Sequence, residues 1–317
     1  MEYIMLKNSD LRVSRLCLGG CPMGGYGWGE VSENNLLDAV HTAIENGVNF
    51  FDNSDIYGLG KSEEILGKAL KGQRDKAIIA TKFGVRVENG HTFYDNSPEW
   101  INLAVESSLR RLDTDYIDLY QVHYRDGKTS IEEVITALEK IKEKGHIRYY
   151  GLSNIHMNEC AELIPNAGKF VSFQDEYSLA CRKNESDLIE LSEKIEMTPL
   201  TWGSLGQGIL TGKYDIHSTF DSNDRRSSDI YVNFHGEKLK RNLDIVEVMR
   251  KISFQTGKSI SSIAIKFILD YIDNSVVLAG VKTSKQLLSN VDAFGWHLSR
   301  EQLESLNTIS KIGDSAL

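Results

Sequence analysis

At 317 residues the chain offers one large domain or two ordinary ones, with room for a sizeable core. Its 41% hydrophobic and 26% charged residues are the composition of a folded globular protein, and a net charge of −9 argues against nucleic acid as a partner. The opening stretch MEYIMLKNSDLRVSRLCLGG has no basic region ahead of a long apolar core, and no apolar run approaches the roughly 20 residues that span a bilayer. A cytoplasmic protein without a membrane partner is expected. Cys17, Cys21, Cys160 and Cys181 are scattered, with no C-x-x-C and no histidine at ligand spacing, so reduced thiols and no metal are expected.

In chain order, eight apolar, β-rich runs recur: RLCLGG, VNFFD, AIIATK, IDLYQVH, IRYYGLS, FVSFQ, TPLTW and SVVLAG. Charged amphipathic stretches follow them, among them SENNLLDAVHTAIENG, SPEWINLAVESSLRRL and SIEEVITALEKIKEKG, each with Ser at the cap position and acids in the first turn. Eight β/α units without a Pro/Ser linker or composition break predict an α/β fold of one domain over 1–317, a closed (β/α)8 TIM barrel rather than a doubly wound sheet. The longest irregular segment, GQGILTGKYDIHSTFDSNDRRSSDIYVNFHG, follows the seventh strand. Its Arg225 and Arg226 suit contact with an anion, and a solvated excursion is the blander alternative.

Two stretches imitate a phosphate loop and fail. A Walker loop needs Gly, four residues, then Gly-Lys-Ser/Thr, so that backbone amides curl around phosphates. In GLGKS the first glycine is replaced by Asp55, and in GQGILTGKY by Gln207, with Tyr214 where the magnesium-binding hydroxyl belongs. GGYGWG does not match G-x-G-x-x-G, so a Rossmann-type dinucleotide site is also excluded.

The C-terminal ends of barrel strands are where such enzymes place their chemistry. Read that way, Asp52 and Tyr57 follow strand two, Lys82 ends strand three and His123 ends strand four. Each has a blander role available: a solvated lysine, a satisfied histidine, a tyrosine packed in a turn. Their coincidence at three adjacent strand ends favours a site. A phenol, with an ordinary pKa of about 10, works poorly as an acid unless a cation stabilises its phenolate. Lys82 would supply that cation, Asp52 would orient it, and His123 would hydrogen-bond a substrate oxygen, a set suited to carbonyl reduction.

These residues carry a resemblance to the aldo-keto reductase superfamily over essentially the whole length. FFDNSDIYGLGKSEEILGKAL resembles the family's strand-two signature, IIATKFG its lysine strand and YIDLYQVHYRD its histidine strand. The resemblance implies a (β/α)8 oxidoreductase dependent on NADPH, with NADH less favoured. It acts on a small-molecule aldehyde, ketone or alcohol, with Tyr57 as proton donor, Lys82 and Asp52 tuning it, and His123 positioning the carbonyl.

Cofactor contacts carry over in the same way. Ser153 and Asn154 of YYGLSNI, with Gln174, match the positions that hold the nicotinamide carboxamide, and Trp202 matches the stacking aromatic. Gly203, Ser204, Leu205, Gly206, Gly208 and Lys213 match the segment around the pyrophosphate, although Gly203-Ser204 stands where many relatives have Ser-Pro. Arg226 joins them as an anion contact. Gly280, Lys282, Thr283, Gln286 and Asn290 match the segment that reads the adenosine 2′-phosphate and adenine, with Ser289 in place of a common glutamate. In the first loop Gly20 and Cys21 approach the nicotinamide, and Trp28, with Met23 and Tyr26, walls the substrate pocket. A regulatory subunit of the same fold, like the potassium-channel β subunits, is the alternative; it would bind nucleotide and act through a protein partner.

Overall fold

The structure is a computed structural model that describes residues 1–312. Eight parallel strands close on themselves in chain order. They are Leu16–Gly19, Phe50–Asp52, Ile78–Phe83, Ile117–Val122, Ile147–Ser153, Ser172–Glu176, Thr198–Trp202 and Val276–Gly280, here strands one to eight. Strand eight pairs back onto strand one, Val277 opposite Leu16 and Gly280 opposite Gly19. All eight runs expected from the sequence are barrel strands, and the fold is the expected (β/α)8 TIM barrel.

Alternation along each strand sorts the side chains. Cys17, Phe50, Ala80, Leu119 and Leu200 meet inside the barrel, whereas their neighbours Leu18, Phe51, Ile79 and Tyr120 pack outward against the helices. The covering helices present apolar residues at matching intervals. Glu33–Glu45 buries Leu36, Ala39, Val40 and Ala43, the spacing that makes one helical face. Pro98–Leu112 starts where the Ser97 side chain accepts the Trp100 N–H, and Ile131–Glu143 starts at a reciprocal Ser130–Glu133 capping box. After strands five and six the helices shrink to Cys160–Leu163 and to a π-turn, Asp187–Leu191, that runs into Ser192–Lys194. Longer ones return after strand seven, as Gly236–Thr256 and Ile260–Tyr271, and after strand eight, as Ser284–Val291 and Arg300–Lys311. Among the described residues no helix is long and apolar enough to cross a membrane.

Two antiparallel hairpins lie outside the eight expected strands. Tyr3–Met5 pairs with Arg12–Ser14, and the residues around them, Leu6, Leu11 and Val13, complete the apolar interior at the N-terminal end of the barrel. Val85–Glu88 pairs with His91–Tyr94 just beyond strand three, turning on Asn89 and Gly90, both at positive φ (52° and 79°). Asn-Gly between alternating runs is the sequence signal of such a turn.

Candidate active site

The same alternation that puts Phe50, Ala80 and Leu119 inside puts Asp52, Lys82 and Gln121 one step higher on the same interior face. They form a polar layer above an apolar floor. Lys82 Nζ lies 2.6 Å from Asp52 Oδ2 and donates to the Asn53 carbonyl at 2.8 Å. Asp52 Oδ1 accepts from Gln121 Nε2 at 3.1 Å and from Gln174 Nε2 at 2.9 Å. A buried ion pair is tolerable only when its remaining hydrogen-bonding capacity is also met, and here Lys82 is 0% and Asp52 3% exposed. Gln174 thus supports the aspartate from strand six. Gln121 was not singled out from the sequence, yet it shares strand and face with His123.

Above this layer stand Tyr57 and His123, ring edge to ring face at 5.9 Å, with Lys82 Nζ 5.3 Å from the tyrosine ring centre. Burial pushes the Tyr57 phenol well above its ordinary range, with Cys21 and Asp52 adding to the effect, so the hydroxyl keeps its proton. In this arrangement burial outweighs the phenolate-stabilising cation that the sequence suggested. The His123 imidazole is held well below its ordinary value, first by burial and then by the Lys82 charge, so it is neutral. Its Nδ1 lies 3.1 Å from the Ser54 hydroxyl, which in turn approaches Asp55 Oδ1 at 3.3 Å. Burial and the nearby Glu63 raise the Asp55 carboxyl to about 8. Tyr124 stacks on His123 at 5.0 Å and Tyr94 of the second hairpin stacks on Tyr124 at 4.9 Å, so the hairpin contributes one wall of the mouth.

Backbone contacts also place the loop that carries Tyr57. A β-carbon on Gly58 would come within 2.3 Å of the Gly24 carbonyl oxygen, and one on Gly24 within 2.6 Å of the Gly58 nitrogen. The first and second loops therefore touch main chain to main chain, which only glycines allow. Next to this contact the Gly20 N–H donates to the Asp52 carbonyl at 2.7 Å, and Ser62 Oγ donates to the Gly20 carbonyl at 2.7 Å. Burial raises the Cys21 thiol, so it is not poised as a nucleophile.

The residues matched to cofactor contacts fall into three groups. Beside His123, Asn154 Nδ2 donates to the His123 carbonyl at 2.9 Å and to Ser153 Oγ at 3.0 Å, while Trp202 Nε1 donates to Asn154 Oδ1 at 3.2 Å. Beyond strand seven, Gly203, Gly206, Gln207 and Gly208 all have positive φ (66°, 55°, 55° and 106°), and Leu205 packs against the core. The turn closes on itself, the Gly206 N–H donating to the Gly203 carbonyl at 2.7 Å and the Gly208 N–H to the Leu205 carbonyl at 2.9 Å. The Ser204 hydroxyl turns inward, donating to the Thr201 carbonyl at 2.9 Å.

The third group carries charge. Arg226 is clamped by Asp224, Nε to Oδ1 at 2.8 Å, and that contact lowers the pKa of the Asp224 carboxyl. Lys282 Nζ donates to the Trp28 carbonyl; burial, then Arg226, lowers its pKa, and Lys213 adds to the repulsion. Lys213, Arg226 and Lys282 therefore share one field, with Asp224 as their counter-charge. Thr283 Oγ1 accepts the Gln286 N–H as a helix cap, Gln286 Oε1 accepts the Lys282 N–H at 2.7 Å, and Asn290 is buried in the same helix. Gly280 is closed against Pro22, whose Cδ would lie 2.8 Å from an added β-carbon. Trp28 packs edge to face on Tyr231 at 6.0 Å, and the Arg225 N–H donates to the Gly27 carbonyl at 3.0 Å, so the first loop and the loop after strand seven meet over the mouth.

Fold and site together define a class: a parallel barrel whose C-terminal mouth holds a proton-bearing phenol beside a neutral imidazole, above a buried ion pair. The chain belongs to the aldo/keto reductase family, whose model matches residues 15–311. It is 34% identical over 312 residues to the aldo-keto reductase YhdN of Bacillus subtilis, covering 98% of this chain and 93% of that one. It is 33% identical to the aldo-keto reductase yakc [NADP(+)] of Schizosaccharomyces pombe over 88% of this chain and 84% of that one. The solved structure of the glycerol dehydrogenase AKR11B4 from Gluconobacter oxydans superposes with a TM-score of 0.87 at 33% identity, covering 97% and 94% of the two chains.

Proposed function

We propose that the protein is an NADPH-dependent reductase of a small aldehyde or ketone, running also in reverse on the alcohol. The observation that carries this reading is the buried Lys82–Asp52 pair set beneath a protonated Tyr57 and a neutral His123. The donor set fits a nicotinamide dinucleotide. Ser153 and Asn154 would hold the carboxamide, Trp202 would stack on the ring, the glycine-rich turn of 203–208 would let the pyrophosphate approach the backbone closely, and Lys213, Arg226 and Lys282 would take the 2′-phosphate. The name of the Schizosaccharomyces pombe relative, which includes NADP(+), supports the same choice of nucleotide. When bound, the dinucleotide supplies the hydride.

This chain's residues do the rest. His123, with Nδ1 engaged by Ser54, offers Nε2 to the carbonyl oxygen and fixes its position. Tyr57 gives its proton to that oxygen as negative charge develops, and Lys82 stabilises the phenolate left behind. Asp52 holds the lysine in place. Trp28 and the Tyr94–Tyr124 stack exclude water on the substrate side. The scattered cysteines, with no C-x-x-C spacing, suit a reducing, cytoplasmic compartment.

The deciding experiment is a titration of NADPH and NADH into the purified protein, followed by tryptophan quenching with Trp202→Ala as control, and then a screen of carbonyl substrates. Tight NADPH binding that depends on Trp202, with turnover that depends on Tyr57, is the expected result. Failure of both nucleotides to bind would overturn the reading.

A further inference from the structure

A second cluster stands outside the catalytic layer, where strands five and six leave the barrel. His156 follows strand five, Asp175 lies in strand six next to Gln174, and Asp187 begins the π-turn. His156 Nδ1 lies 2.9 Å from Asp187 Oδ2 and 3.7 Å from Asp175 Oδ2, and one ligand atom from each residue falls within 4.8 Å of the others. Among the described residues no other trio of His, Cys, Asp or Glu meets this spacing.

Both carboxylates are anchored by their other oxygen. Asp175 Oδ1 accepts from the Glu176 N–H at 2.7 Å and from Asn184 Nδ2 at 2.8 Å, and Asp187 Oδ1 accepts from the Met157 N–H at 3.0 Å. Asp175 Oδ2, on a residue only 2% exposed, has no hydrogen-bond partner and faces the imidazole. A buried carboxylate oxygen without a donor is costly to keep. A cation there would meet that need.

We propose that His156, Asp175 and Asp187 bind one divalent cation of the zinc type. One imidazole and two carboxylates suit Zn²⁺, whereas Mg²⁺ and Ca²⁺ prefer shells of oxygen alone. Tetrahedral bonds of about 2.0–2.2 Å set neighbouring ligand atoms about 3.3–3.6 Å apart. The two imidazole–carboxylate spacings, 2.9 and 3.7 Å, bracket that range. The carboxylates balance the charge of the ion, and the amides on their Oδ1 atoms are the supporting contacts that orient ligating carboxylates. His156, with its side chain 50% exposed, leaves an entry path and a place for water as fourth ligand. The ion would tie strand six to the loop after strand five, next to Asn154 and Gln174, and takes no part in proton transfer at Tyr57.

The test uses the full chain, stripped with EDTA, desalted and titrated with Zn²⁺ by calorimetry, with retained zinc measured by elemental analysis. One zinc per chain is expected, and His156→Gln and Asp175→Asn should each weaken binding by about 100-fold or more. His297→Gln is the control, because His297 Nδ1 lies 2.9 Å from Asp270 in a pair that lacks a second carboxylate; it should leave zinc binding unchanged. Should Asp175→Asn misfold, the half-exposed His156 decides the matter. Cobalt loading of the unaltered chain gives an independent reading through the visible bands of a four-coordinate ion. Absence of stoichiometric zinc, absence of those bands, or an affinity indifferent to His156→Gln would overturn the site.

Discussion

The strand ends and the loops beyond strands seven and eight treat charge in opposite ways. At the ends of strands two to four, Lys82 and Asp52 are enclosed, and their partners Asn53, Gln121 and Gln174 come from the barrel wall or directly after it. Around strands seven and eight, Lys213 is exposed, Lys282 leans on a loop carbonyl, and Arg226 is matched by a carboxylate two residues away. Strand pairing fixes the first set before any ligand arrives. The second set is held by contacts that a phosphate can replace. Altering the first should therefore cost chemistry and stability, and altering the second should cost binding of one nucleotide.

The largest effect is expected at Tyr57. Tyr57→Phe removes the acid and should lower turnover by roughly 10²–10⁴-fold with NADPH affinity nearly intact; turnover close to that of the unaltered chain would take Tyr57 out of the mechanism. Next comes Asp52→Asn, which leaves the Lys82 ammonium buried without its counter-charge. Urea unfolding should show a loss of about 3–5 kcal/mol, and a loss below about 1 kcal/mol would class the pair with surface ion pairs. On the other side of the comparison, Lys282→Ala should weaken NADPH by about 1.5–3 kcal/mol and spare NADH, measured by fluorescence titration. Equal loss for both nucleotides would erase the contrast between the two regions.

The smallest effect concerns pH. His123 is held below its ordinary value in the folded chain, so the unfolded chain binds the extra proton first. Stability therefore falls as pH drops through about 6.5 and continues to fall until the folded histidine also protonates, by at most about 1.4 kcal/mol per pH unit. His123→Gln should remove that part of the acid slope; a slope that persists unchanged would mean that another group supplies it.

The same division decides what the sequence reveals. The eight barrel strands are legible because each is an apolar run buried on both faces, and Asp52, Lys82 and His123 stand out as polar breaks at the ends of such runs. Gln121 shares the inward parity of His123 and was within reach of the same reasoning, as was the Asn89-Gly90 hairpin that carries Tyr94. Ser54 was not, because its role arises only when the chain brings His123 to it. The short elements after strands five and six blurred the helix pattern there, and the trio of His156, Asp175 and Asp187 is assembled from three separate segments with no local spacing to announce it.

The hairpin at the N-terminal end has a bearing on how the chain is made. Its Lys7 N–H donates to Thr198 Oγ1 at 2.8 Å, and strand one waits for strand eight, with Gly19 opposite Gly280. Contacts so distant in sequence make a fold slow to form. During synthesis the ring cannot close until strand eight has left the ribosome and can pair with strand one.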